Sequence, residues 1–221
     1  SLSTGVIAAL TDAQIDGLTA QQIADLTTSQ AAALTAGQLA GLSTAQLLAM
    51  ESTDFSKLST AAIAALSVTQ AAVLNADQIG SLSTAQFVAM EQADLGKLNT
   101  TAIAGVTTAQ ASVLTATQAA GLTSTQLAKM DPEDVQQFST AVIAGLTADQ
   151  LNGLTADQLS GLTTLQVSKL VASQLASLDS TQLQALTTLQ ASVLTAAQIA
   201  SLDSSQIGKL EADDMAKLST G

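Results

Sequence analysis

The 221-residue chain has no cysteine, histidine, tryptophan, tyrosine or arginine, only three phenylalanines and one proline. Each absence removes a class of function. Without Cys there are no disulfides and no thiol chemistry. Without His and Cys the usual zinc sites and nucleophilic triads are closed off. Six Lys stand against 18 Asp and Glu, a formal charge of -12. Nucleic-acid affinity comes largely from neutralising phosphates, so a chain this acidic is not expected to bind nucleic acid. The same charge works against anionic membrane surfaces. No apolar run approaches the 18 or so residues of a membrane span, so no membrane insertion is expected. The opening residues Ser1 to Gly5 contain no basic stretch and no signal-peptide core.

What is present is repetition. From Ser3 to Leu218 the chain divides into 27 octads without insertion or deletion: STGVIAAL, TDAQIDGL, TAQQIADL, and so on to EADDMAKL. The eighth position is always large and apolar, with 22 Leu, three Met, Val106 and Phe138. The fifth is always apolar, from Ala31 through Ile15 to Phe55. The first is Ser, Thr, Asp or Asn in 23 octads, and the fourth is Gln in 19. The consensus is T-x-x-Q-[I/L]-x-x-L.

Thr followed three residues later by Gln is a capping-box signature, so a helix is expected to start in every octad. Pro132 falls at the first helical position, where proline is favoured. Glu133 and Asp134 follow in the first turn, where the helix dipole favours negative charge. Seven glycines (17, 41, 105, 121, 145, 153 and 161) occupy the seventh position, where a glycine exit from the helix is expected.

Two rival folds are weaker. In one continuous helix, eight residues turn through about 800°, so the apolar stripe would rotate by about 80° per octad and lose any partner. A β-solenoid conflicts with apolar spacings of three and five, and with the abundance of Ala and Gln. The expected fold is therefore all-α: a solenoid of short, about two-turn helices, one per octad. It is expected as a single continuous array over residues 1–221. One octad cannot bury enough apolar surface to offset its ordering entropy, so it must stack on its neighbours. The ends carry no distinct polar cap, which leads to the expectation of a segment from a longer array.

A longer period of 40 residues overlies the octads. Lys129, Lys169 and Lys209 are spaced by 40, as are Lys57 and Lys97, with Lys217 a further 120 on. Met50, Met90 and Met130 share the interval, each followed by an acid. Asp54, Asp94 and Asp134, with Asp214, replace Gln at the fourth position. Forty residues is read here as one superhelical turn of five octads, with duplication of a 40-residue unit as the alternative. In the first reading these Lys and Asp residues form a longitudinal stripe, the candidate interaction surface.

No catalytic chemistry is expected. The Ser and Thr hydroxyls are accounted for as caps, and the acids lie mostly at caps and turns. Asp131, Glu133 and Asp134, or Glu211, Asp213 and Asp214, offer loose Ca²⁺ ligation, but a dipole-matched helix start explains them as well. No cofactor is implied. The octads Thr147 to Leu154 and Thr155 to Leu159 resemble the Ala/Thr/Gln-rich repeat tracts of very large bacterial proteins, over the whole chain. That resemblance implies export or attachment at the bacterial surface, and a spacer or adhesin role. The leading expectation is a non-enzymatic structural spacer or stalk of a secreted or cell-surface protein. The alternatives are a solenoid that binds a protein or glycan along one face, or self-associates, and more remotely an ice-binding surface.

Overall fold

A computed structural model describes residues 3–210 and 212–218. Among the described residues it contains 27 α-helices and no strands, one helix per octad. The helices are four to six residues long, nearer one turn than two.

The octad explains this length. Its first residue is extended; Ser43, for example, has φ -65° and ψ 158°. In most octads its side chain accepts the N–H of the fourth residue, as Ser43 does from Gln46, and the helix begins between them. The N–H of the eighth residue bonds back to the fifth carbonyl, as Leu42 does to Leu39 at 3.1 Å. In many octads the eighth residue then becomes extended as well, with Leu42 at φ -64° and ψ 136°. Two extended residues thus separate such helices, and a helix cannot run on through its neighbour's cap. Pro132 opens its helix as expected.

Seventh-position glycines stand at helix ends as expected, Gly17 and Gly153 as C-caps and Gly41, Gly145 and Gly161 as last helical residues. No described residue has positive φ, so helices leave without the left-handed exit. Two glycines instead allow close approach. A Cβ on Gly105 would collide with the Ala76 backbone, and one on Gly153 would stand 2.5 Å from the Ser124 side chain.

The chain divides into two compact units, residues 1–110 and 111–221. The division falls inside the helix Thr108–Val113, and the octad spacing continues through it. In the first unit each helix packs against the third one along: Ala36–Gly41 lies against Asp12–Asp16 and against Thr60–Ala64. The second unit obeys the same rule, with Ala156–Gly161 between Pro132–Gln136 and Ser180–Gln184. The fourth-position Gln side chains bond to carbonyls 28 to 31 residues back in both units. One turn therefore closes in between three and four octads.

This corrects the expectation of five. Fifth-position side chains such as Ile15, Leu39, Leu47 and Leu159 point inward and are fully buried, and eighth-position Leu seals the layer outside them. A ring of five one-turn helices would leave a central void too large for these side chains, and protein interiors do not keep such voids. Forty residues is a unit of sequence repetition, and it is not the turn of the coil.

Candidate functional site

The most organised polar feature is the fourth-position Gln. Gln158 is typical. Its backbone N–H donates to Thr155 Oγ1 at 3.2 Å, and its Oε1 accepts the Thr155 N–H at 2.8 Å, completing the capping box. Its Nε2 then donates to the carbonyls of Leu127 at 2.8 Å and Met130 at 2.7 Å, on the preceding turn. One amide thus satisfies the start of its own helix and the end of another.

The pattern recurs along both units. Gln38, Gln46, Gln70, Gln78, Gln86 and Gln110 form such rungs in the first. Gln150 through Gln206, every eighth residue, form them in the second. Most of these side chains are buried, Gln78 completely. An unpaired buried amide is costly, so full satisfaction makes each rung a stabilising and a register-fixing element.

Sequence reasoning recognised the cap and missed the rung. A signal was available: a capping box accepts Glu as readily as Gln, yet no Glu occupies the fourth position in any of the 27 octads of this acidic chain. A cap needs only the acceptor. Gln at 19 of the fourth positions, and Glu at none, points to a demanded donor.

The candidate stripe residues separate into two populations. Lys57, Lys97, Lys129, Lys169, Lys209 and Lys217 are all exposed. Asp54, Asp94, Asp134 and Asp214 are all buried, between 1% and 4% exposed. Only the lysines face solvent. Within each unit no two of these lysines lie three or four octads apart, so they form no row on adjacent turns.

The buried aspartates are electrostatically unusual. Burial, then the charge of Glu91, pushes Asp94 up to about 6, opposed by a hydrogen bond from the Glu91 backbone. Burial, then Asp131 and Glu133, pushes Asp134 up to about 6. Asp54 is raised by burial, then by Glu51. Glu51, Glu91 and Asp131 stand at the N-cap but make no side-chain cap bond.

Among the described residues, no three carboxylates come together to hold a metal ion. The calcium reading fails at its first cluster because Asp131 and Glu133 are exposed while Asp134 is buried. Glu211, of the second cluster, lies outside the described residues. A shallow cleft of about 400 Å³ is lined in part by Leu48, Glu51, Thr53, Asn75 and Asp77. Among the described residues no helix is long and apolar enough to cross a membrane.

No curated protein matches the chain. One family model does, described as the ALTTAQ repeat, over residues 47–84, 87–124 and 127–164. These segments start 40 residues apart and together cover just over half of the chain.

Proposed function

The chain belongs to the ALTTAQ repeat family, and from that premise we propose that it is a non-catalytic structural spacer, a stalk segment of a secreted or surface-attached bacterial protein. The observation that supports this most is the uniformity of the joint between turns. Where the fourth residue is Gln, the same amide rung, with offsets of 28 and 30 or 31 residues, recurs over the same Leu and Ile core. Each octad adds one equivalent increment, as repeat arrays do. The surface and export part of the reading rests on the resemblance to bacterial repeat tracts.

The test is length. Small-angle scattering compares the full chain with versions lacking residues 47–86 or 47–126. The maximum dimension is expected to fall in two equal steps. Dimensions that shrink only as the cube root of mass, as for a globule, would remove the spacer reading.

A second reading, a protein-binding surface, is favoured at one place. Leu165 and Leu189 are 60% and 73% exposed, on the helices Thr164–Ser168 and Thr188–Ala191, which pack together. A partner recovered equally well with the wild-type chain and with the Leu165→Ser, Leu189→Ser variant would reject that surface.

A further inference from the structure

The amide rungs have an exception that returns every forty residues. At 54, 94 and 134 the fourth residue is Asp, and the side chain is as buried there as the glutamines are. The offsets that pair each Gln with carbonyls 28 and 31 residues back register Asp94 with Leu66 and Ile63. They register Asp54 with Leu26 and Ile23. A carboxylate has only acceptors, so it cannot donate to those carbonyls. The buried Asp94 Oδ2 has no hydrogen-bond partner.

Among the described residues, no cation stands on the helices packed against Asp54 and Asp94. Lys57 and Lys97 share these octads but are exposed. The helices packed on Ser52–Phe55 are Thr28–Ala31, with no titratable group, and Ala76–Ser81, with Asp77. The registered octad 19–26 adds Asp25. Val68–Ala71, packed on Gln92–Leu95, has no titratable group, and neither does the registered octad 59–66. Glu51 and Glu91, three residues before the aspartates, carry the same sign. Ala156–Gly161, packed on Pro132–Gln136, brings Asp157.

We propose that Asp54 and Asp94 are proton-operated rungs: ionised, they leave the joint to the preceding turn unclamped, and on taking up a proton the carboxyl O–H donates in place of the glutamine amide and tightens it. The raised proton affinity of these groups agrees with this. The sign follows from linkage. A carboxyl whose folded value lies above its ordinary 3.8 binds protons more tightly in the folded state. Its stabilisation is fully present below the ordinary value and is lost as pH rises through about 6.

The experiment follows the urea midpoint of the full chain by far-UV circular dichroism from about pH 7.5 to about pH 5, a window that spans the folded values. The wild-type midpoint is expected to rise on acidification. The Asp54→Asn, Asp94→Asn, Asp134→Asn variant, neutral at every pH and carrying a donor, is expected to start higher and stay flat. An Asp12→Asn, Asp16→Asn, Asp149→Asn control makes the same charge change at exposed sites away from these joints and is expected to keep the wild-type rise. A wild-type midpoint that is flat or falls, or a buried-site variant that rises as much as the wild type, would overturn the proposal. If the triple variant does not fold, the carboxyl-carbon NMR shifts of the wild-type aspartates decide. Asp94 and Asp134 titrating near 6, with Asp54 above its ordinary 3.8, support the proposal, and titration of all three near 3.8 overturns it.

Discussion

Residues 75–90 and 91–106 are consecutive in the chain and use the same octad frame, yet they hold the preceding turn differently. In the first stretch, Gln78 and Gln86 each cap their own helix and donate across the turn. In the second, Asp94 is buried without a donor, and Ala102 fills the next rung position with no polar atom at all. The gap left at Ala102 is partly made good by Asn99, whose Nδ2 donates to Ala72 at 3.2 Å and Leu74 at 2.8 Å. The backbone path is thus common to both stretches, while the joint is made residue by residue. Two consecutive octads without the amide still form their helices.

The largest expected break is in the clamped stretch. Gln78→Ala removes the Nε2 bonds to Leu47 and Met50 and uncaps the Asn75 N–H, all buried or half-buried. It is expected to cost about 3 to 5 kcal/mol. Gln22 makes only bonds within its own octad among the described residues, so Gln22→Ala is expected to cost about 1 kcal/mol, the value of a cap alone. Urea midpoints of the two variants measure the difference, and equal losses would mean that the cross-turn bonds contribute nothing.

Gly105→Ala comes next. The new methyl meets the Ala76 backbone, which cannot rotate away, and a loss of about 2 kcal/mol is expected. At Gly161 the nearest atom to the new methyl would be 3.9 Å away, so Gly161→Ala is expected to be neutral or to stabilise by up to about 1 kcal/mol. A small loss is expected at the repaired gap. Asn99→Ser copies the residue found at 59 and 139 and keeps an N-cap oxygen, but loses both cross-turn donations. About 1 kcal/mol is expected, read most directly as faster amide exchange in the helix Thr100–Ile103.

Much of this was legible in the residues. The Thr and Gln spacing located every helix start, Pro132 confirmed the register, and the fifth and eighth positions identified the core. The number of octads per turn was not legible. The 40-residue recurrence of Lys and Met marks duplicated units, and side-chain size, which sets how many helices surround a filled interior, acts on a different period. The burial of Asp54 and Asp94 was hidden for a related reason. Acids near a helix start read as solvent-facing partners of the dipole, and only the cross-turn offset places the fourth residue inside.

The mismatch between the forty-residue unit and the shorter turn has a further consequence. Successive copies of a unit finish at different angles around the coil axis, so Lys57 and Lys97 come out on different sides. Lengthening the protein by duplication therefore spreads each copied charge around the circumference. Growth of this kind does not build a like-charged ridge that would strain the coil or fix one sticky side.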